Sequence, residues 1–250
     1  MTGRVTVVGL GPGRPDWCTP AVTRYLTEAT DLVGYDRYLD LIAIPTSGRR
    51  HPSGNRVEAD RAAHALDLAA EGARVVVVSS GDPGIFAMAS AIMERLDEEP
   101  DRWAGVEITV EPGISAAQAL ASRVGAPLGH DFCVMSLSDV LKPWDLIERR
   151  IDAAAGADFV LAFYNPISRH RPWQLGRALE IVGHHRNPAT PVVIGRNVGR
   201  DDETVLVVDL TAIDPSTIDM STVLIVGSST TKVIADRNAA ASVYTPRRHD

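Results

Sequence analysis

Short runs rich in β-branched residues alternate along this chain with stretches of helical periodicity, and this alternation constrains the fold more than any other feature. The run RVTVVGL at residues 4–10 precedes a helical stretch that begins after Thr19-Pro20. The run ARVVVVSSG at residues 73–81 precedes the helical stretch IFAMASAIMERL at residues 85–96. Strands and helices that alternate at these lengths form right-handed βαβ units around a parallel sheet. The first half of the chain is therefore predicted to be an α/β domain with a mainly parallel sheet.

The second half repeats this pattern but ends differently. In the first half, the other predicted strands are residues 31–35 and 106–113, and the other predicted helices are residues 57–72 and 115–124. In the second half, strands are predicted in FCVMSL, ADFVLAFYN and TPVVIG, and helices at residues 143–155 and 173–183. The final strands, ETVLVVDLTAI (203–213) and MSTVLIVGS (220–228), are separated by a short polar connection, which favours an antiparallel pair in a mixed sheet. Since the composition changes near residues 125–131, we predict two α/β domains, residues 1–127 and 128–250.

The bulk composition limits the classes of function. The 250 residues carry a net charge of −7 at pH 7, which argues against a broad nucleic-acid interface. No apolar run reaches the roughly 18 residues of a membrane span, and the N-terminus lacks the pattern of a secretory signal. Cys18 and Cys133 are the only cysteines, so we expect a cytoplasmic protein without a disulfide framework or a metal site. Of the 25 basic residues only Lys142 and Lys232 are lysine, which reflects either a GC-rich genome or bidentate binding of carboxylates by arginine.

The glycine-rich turn GLGPG at residues 9–13 resembles a phosphate-binding loop but lacks the features of one. A dinucleotide fingerprint has the spacing G-x-G-x-x-G and an acidic residue at the end of the second strand, whereas Asp31 lies at the start of that strand. Pro12 removes a backbone N–H where a phosphate cradle needs one. Two interpretations stay open: a plain tight turn, or the wall of a ligand crevice beyond the carboxyl end of the strand.

Similar turns follow several other predicted strands. They are SSGDPGIF (79–86), EPGISAA (111–117), YNPISRHR (164–171) and GRNVGRDDE (195–203). In open α/β sheets, ligands bind outside the carboxyl ends of the strands. Several Gly-, Pro-, Ser- or Asn-rich turns in this position predict a binding site there.

These motifs together resemble the tetrapyrrole methyltransferase family, the class III S-adenosylmethionine-dependent methyltransferases. The similarity lies in GLGPG with the following Thr19-Pro20, in SGDPGIF and in EPGISA, and it extends over roughly residues 4–234. Within the family, GYDRYLD, FYNPISRHR, GRNVGRDDE and VGSSTTKVI look most like the branch that methylates C17 of a corrin precursor, with ring contraction, in cobalamin biosynthesis. The branch that acts on the cobalt-containing substrate shares these motifs. A metal-free substrate, a cobalt-containing one, and methylation of another corrin carbon therefore stay open.

The resemblance implies two α/β domains with a cleft between them that binds S-adenosyl-L-methionine, and S-adenosyl-L-homocysteine as the product. It also implies a homodimer. The residues that it places beside the cofactor are Pro12, Ser80, Gly81, Asp82, Ile85, Ser115, Ala116, Tyr164, Asn165, Val198, Ser221 and Thr222. The Asp82 side chain has two possible roles, a hydrogen bond to the amino-acid part of the cofactor or a cap of the following helix.

The expected substrate is a macrocycle with acetate and propionate arms, for which loop arginines are suitable partners. The candidates are Arg37, Arg169 and Arg171. No catalytic residue is assigned, because His130, Asp36, Glu111 and Tyr164 are each conceivable general bases with an equally good structural role. Two readings from other classes are an NAD-dependent oxidoreductase, which the GLGPG spacing disfavours, and a non-catalytic binding protein.

Overall fold

The computed structural model describes residues 3–55, 57–234 and 242–248. The chain forms two compact units, Met1–Ala116 and Ala117–Asp250. The division lies before the predicted boundary at residues 127/128, so the helix that follows EPGIS groups with the second unit. The reason is packing, since a Cβ atom on Gly195 would lie 2.4 Å from the Leu120 side chain of that helix.

The first unit is built on a five-stranded sheet. Its elements are β1 (Arg4–Gly9), α1 (Pro20–Glu28), β2 (Asp31–Tyr35), α2 (Asp36–Leu39), β3 (Arg49–Ser53), α3 (Glu58–Ala70), β4 (Arg74–Ser79), α4 (Met88–Glu98) and β5 (Glu107–Glu111). The strand order is β3-β2-β4-β1-β5, and every neighbouring pair is parallel. The predicted parallel sheet is confirmed.

Both faces of this sheet are buried, which explains the uninterrupted valine runs. Val77 of β4 packs in a core with Leu66 of α3, whereas Val78 packs in a second core with Leu26 of α1. Successive side chains of a strand point to opposite faces, so a strand between two helical layers needs apolar residues at every position.

The second unit contains a mixed sheet. Its elements are α5 (Ala116–Val124, which begins at the division), β6 (Gly125–Ala126), β7 (Phe132–Ser136), α6 (Trp144–Gly156), β8 (Val160–Tyr164), α7 (Gln174–Gly183), β9 (Pro191–Arg196), β10 (Thr204–Asp209), β11 (Thr222–Val226), β12 (Lys232–Ile234) and β13 (Ser242–Tyr244). The main sheet has the order β10-β9-β11-β8-β7, in which the neighbours β7 and β8 pair in parallel and the other neighbouring pairs are antiparallel. A small sheet has the order β12-β13-β6. The predicted mixed sheet is confirmed.

The short connection between the last two long strands, β10 and β11, favours their direct antiparallel pairing, but the structure pairs them differently. β10 and β11 do not pair with each other; each pairs with β9, which lies between them. Their connection contains two short 3-10 turns, Leu210–Ala212 and Pro215–Thr217, and so has the length to pass across β9. The sequence patterns also did not predict β3 or the small sheet. The β3 segment RRHPS is polar, and the strands of the small sheet have only two or three residues each.

None of the helices in the described part of the chain combines the length and the apolarity that a bilayer crossing requires.

The loops after β1, β4 and β5 approach one another backbone to backbone. A Cβ atom on Gly9 would lie 2.4 Å from the carbonyl oxygen of Gly81, and one on Gly113 would lie 2.3 Å from the same oxygen. Gly11 and Gly81 also donate their amides to each other's carbonyl oxygens, at 3.2 and 2.9 Å. Only glycine allows this approach without moving a backbone.

We expect Gly113→Ala to destabilise the protein by about 1–3 kcal/mol, because the added methyl group overpacks a contact between backbones. Gly176→Ala is the matched control, since nothing lies within 4 Å of a Cβ atom at this position in α7. Alanine is favoured over glycine inside a helix by about 0.5–1 kcal/mol. Urea unfolding checks both variants, and equal midpoints for Gly113→Ala and the unmodified protein would contradict the packing argument.

Candidate active site

The carboxyl ends of β1, β4 and β5 lie at one edge of the first sheet, because β1 pairs in parallel with both other strands. The loops at this edge carry the predicted cofactor residues of the first unit: Pro12, Ser80, Gly81, Asp82, Ile85, Ser115 and Ala116. Pro12, Gly81 and Ser115 are buried, whereas Ser80 and Asp82 are half-buried. The structure thus brings together three loops that are far apart in the sequence.

Asp82 connects two of these loops. Its Oδ1 accepts from the amide of Gly84 at 2.8 Å, and its Oδ2 accepts from the amide of Gly113 at 3.1 Å. Helix α4 begins later, with Ala87 as a cap residue that makes no side-chain hydrogen bond. Asp82 therefore does not cap this helix, and its carboxylate holds the 81–84 turn against the loop after β5.

The second sheet gathers its loops in the same way. Ser136 of β7 lies opposite Tyr164 of β8, so these parallel strands end at one edge. β11 runs antiparallel to β8 and β9, and its first residue, Thr222, lies opposite Arg196 at the end of β9. The predicted cofactor residues of the second unit all lie at this edge: Tyr164, Asn165, Val198, Ser221 and Thr222.

Tyr164 and Asn165 are held by hydrogen bonds. The Tyr164 hydroxyl accepts from the amide of Ala117 at 2.8 Å and so satisfies a donor in the first turn of α5. Asn165 donates from Nδ2 to Ser136 Oγ at 2.9 Å. The Tyr164 hydroxyl thus has a positioning role in this structure, and it remains unassigned as a general base along with His130, Asp36 and Glu111.

Left-handed backbone occurs at Phe86, Asn165 and Asn197 in these loops, whereas Asp158 lies in the turn between α6 and β8. Among the residues that the structure describes, the non-glycine residues with a left-handed φ are Phe86, Asp158, Asn165 and Asn197. Phe86 follows the GDP turn, and both asparagines follow strands of the second sheet. Such conformations cost about 1–3 kcal/mol and cluster at ligand sites, so their placement supports a function at both sheet edges.

Arg171 is buried, with 6% of its surface exposed. Its Nη1 donates to the carbonyl oxygen of Asn165 at 2.9 Å and to that of Leu137 at 3.3 Å, while its Nη2 lies 3.2 Å from Met220 Sδ. The side chain thereby fastens three loops at this edge. Arg37 on α2 and Arg169 are exposed, and the substrate-binding role of all three arginines stays a prediction.

Sequence reasoning missed Asp219, which organises the turn before β11. Its Oδ1 accepts from the Ser221 amide at 2.8 Å and from the Thr222 hydroxyl at 3.1 Å, and its Oδ2 accepts from Arg196 Nε at 2.8 Å. The signal available in the sequence was DMST, in which an aspartate precedes a serine by two residues, as in an Asx turn. Nearby, the Asn197 amide donates to the Ser221 carbonyl at 3.0 Å, and Val198 is buried.

Within the described ranges, no group of three or more His, Cys, Asp or Glu side chains is arranged to hold a metal ion. Cys18 and Cys133 are unpaired and half-buried, and burial raises the pKa of the Cys133 thiol.

The stability supplied by Asp219 should depend on pH. Burial raises the pKa of its carboxyl, but hydrogen bonds from Arg196, Ser221 and Thr222 outweigh this and leave the pKa below its ordinary value. A carboxyl with a lowered folded-state pKa stabilises the protein above the unfolded-state pKa of about 3.9 and loses that contribution as the pH falls through the folded-state value. Asp219→Asn should therefore be destabilising near neutral pH, and its deficit should shrink below about pH 4.

Urea unfolding of both proteins at several pH values measures this difference. Arg196→Gln removes one group that lowers the Asp219 pKa. As the pH falls, this variant should therefore begin to lose stability at a higher pH than the unmodified protein does. A deficit of Asp219→Asn that is the same in acid as at neutral pH would contradict the role given to this carboxylate.

The chain is similar to proteins of known family. The sequence profile of the Tetrapyrrole (Corrin/Porphyrin) Methylases matches residues 4–214. The chain is 53% identical over 253 residues to the cobalamin biosynthesis protein CobIJ of Mycobacterium tuberculosis, a match that covers 100% of this chain and 49% of that protein. It thus spans about half the length of the first curated relatives that it matches.

Two further proteins match over nearly their whole length. The precorrin-3B C(17)-methyltransferase of Sinorhizobium sp is 47% identical over 247 residues, which cover 99% of this chain and 97% of that protein. A crystal structure of the methyltransferase CobJ superposes with a TM-score of 0.91 at 51% identity and covers 98% of this chain and 100% of that one. The resemblance predicted from GLGPG, SGDPGIF and EPGISA is confirmed, and the chain belongs to the tetrapyrrole (corrin/porphyrin) methylase family.

Proposed function

We propose that this chain transfers a methyl group from S-adenosyl-L-methionine to C17 of precorrin-3B, with ring contraction, in cobalamin biosynthesis. The observation that carries this proposal is the 47% identity to the precorrin-3B C(17)-methyltransferase, which extends over 97% of that protein. The loops GDPGIF, PGISA and YNP lie at the sheet edges where ligands of α/β proteins bind.

The loops of the first unit fit a cofactor without phosphate groups. The amides of Gly11 and Gly81 bind each other's carbonyls, and the amide of Gly113 binds Asp82, so these donors are occupied. Pro12 has no amide proton. A pyrophosphate needs free backbone donors at such a turn, whereas a sulfonium cation is compatible with carbonyl oxygens and apolar walls. This favours S-adenosylmethionine over NAD as the ligand.

The cofactor supplies an already activated methyl group. The bond from sulfur to the methyl carbon would break as an electron pair of the macrocycle forms the bond to C17, and sulfur would keep the pair of the broken bond to give the thioether of S-adenosyl-L-homocysteine. The protein mainly has to hold donor and acceptor in line, about 3–3.5 Å apart. Asp82, Arg171 and Asp219 suit this task, because each fixes a loop through two or more hydrogen bonds. The twelve predicted cofactor residues are retained in this proposal.

We further propose that the active protein is a homodimer in the cytoplasm, as the family resemblance and the cysteine content favour. A cobalt-containing substrate is the second candidate, because the motifs GYDRYLD and FYNPISRHR do not separate the two branches of the family.

Mass spectrometry of the corrinoid product tests the proposed reaction. We expect the purified chain to add one methyl group to the metal-free substrate and to contract its ring, with stoichiometric release of S-adenosyl-L-homocysteine. The cobalt-loaded substrate is run in parallel, and faster turnover of it would favour the second candidate. Tighter binding of NAD than of S-adenosyl-L-homocysteine at equilibrium would overturn the reading as a methyltransferase.

The exposed arginines Arg37 and Arg169 should contribute to binding of the carboxylate arms. A hydrogen bond between charged groups is worth about 1.5–3 kcal/mol, so we expect the Arg37→Gln/Arg169→Gln variant to raise the substrate KM by about tenfold or more. Arg24→Gln on α1 is the control, because Arg24 is also exposed but lies outside the predicted loops. An unchanged KM in the double variant would rule out this role for both residues.

A further inference from the structure

Three large apolar side chains are exposed in the second unit, in the loops that follow β7 and β8. Val140 and Leu141 lie in the loop between β7 and α6 and are 64% and 95% exposed. Trp173 precedes α7 and is 49% exposed. Exposed apolar patches of this kind mark binding surfaces. We call Val140, Leu141 and Trp173 the apolar platform.

An aromatic contact and hydrogen bonds hold the two loops of the platform in place. Trp173 packs edge-on against Trp144, the first residue of α6, with ring centroids 4.9 Å apart. Gln174, which is 1% exposed, donates from Nε2 to Asp139 Oδ2 at 3.0 Å and so joins the two loops. Arg171 donates to the Leu137 carbonyl oxygen. These contacts keep both loops in place while their apolar tips face outward.

Basic side chains lie in both loops that carry the platform and on α6. Lys142 follows Leu141 directly, and Arg150 on α6 lies close enough for its charge to lower the Lys142 pKa, to which burial contributes more. Arg169 is exposed on the second loop. The neighbouring carboxylates are already engaged: Glu148 with Arg177 and Trp144, Asp139 with Gln174, and Asp145 with Arg149.

The position of the platform relates it to the reaction. The two loops begin immediately after Ser136 and Tyr164, which lie opposite each other where β7 and β8 end, and Tyr164 and Asn165 are predicted cofactor residues. A methyl acceptor has to come within about 3–3.5 Å of the methyl group. A tetrapyrrole extends well beyond its reacting carbon, and it combines flat apolar faces with carboxylate arms. Its chemistry is complementary to an apolar surface that has basic side chains in the same loops.

We propose that Val140, Leu141 and Trp173 bind an apolar face of the tetrapyrrole macrocycle, and that Lys142, Arg150 and Arg169 receive its carboxylates. This inference rests on the proposed function and deepens it by naming a substrate-binding surface outside the family motifs. The platform contributes affinity and orientation, and none of its side chains takes part in bond making.

Direct titration of the macrocycle, followed by its absorbance and by tryptophan fluorescence, tests the proposal without requiring turnover. Burial of a leucine side chain is worth about 1.5–3 kcal/mol, so Leu141→Ser should weaken macrocycle binding by about ten- to hundredfold. Binding of S-adenosyl-L-homocysteine, measured by calorimetry, should remain unchanged. Trp173→Ala should behave in the same way, and Trp173→Phe should recover most of the affinity.

Leu206→Ser is the matched control, since Leu206 is exposed in the same unit but lies on β10 at the far edge of the sheet. Equal macrocycle affinity for Leu141→Ser and Leu206→Ser would overturn the proposal. If Leu141→Ser lowered the molecular mass measured by light scattering and left the macrocycle affinity unchanged, this result would also overturn the proposal. It would assign the platform to a contact between copies of the chain. An unmodified protein that binds the macrocycle through the platform but transfers no methyl group would refute the proposed function alone.

Discussion

The backbone contact among the loops after β1, β4 and β5 is the constraint on which the site of the first unit depends. Gly9 and Gly113 approach the carbonyl of Gly81 so closely that no side chain fits between them. Asp82 reinforces the contact from the side by accepting the Gly113 amide. The parallel sheet brings the three loops to one edge, and these contacts join them into one surface. The loops therefore lose little conformational entropy when a ligand binds.

In the second unit, side-chain hydrogen bonds hold the loops together. Arg171 donates to two loop carbonyl oxygens, and Asp219 accepts hydrogen bonds from Arg196 and from the turn before β11. Burying a guanidinium is unfavourable unless its donors are satisfied, so Arg171 specifies one arrangement of the loops. The proposed methyl transfer demands such preorganisation, because the chemistry rests mainly on alignment of donor and acceptor.

Much of the fold was predictable, since the valine runs and helical periodicities reflect burial directly. The long strands and helices appear within a few residues of their predicted positions, and the two kinds of sheet are as expected. The short strands were not predictable: β3 is polar, and β6 is recruited by a partner far away in the sequence, β13. The division at Ala116 was also hidden, because the packing of Leu120 against Gly195 is a tertiary contact.

For the site, the sequence by itself determined the family and the loops, because GLGPG, GDPGIF, PGISA and YNP are local motifs whose turns follow from their own glycines, prolines and asparagines. Only the tertiary structure decided what individual side chains do within those loops. It showed that Asp82 bridges two loops and caps no helix, that Arg171 is buried, and that Val140, Leu141 and Trp173 are each exposed. The physical reason is that burial and hydrogen-bond partners depend on neighbours distant in the chain, which no local pattern encodes.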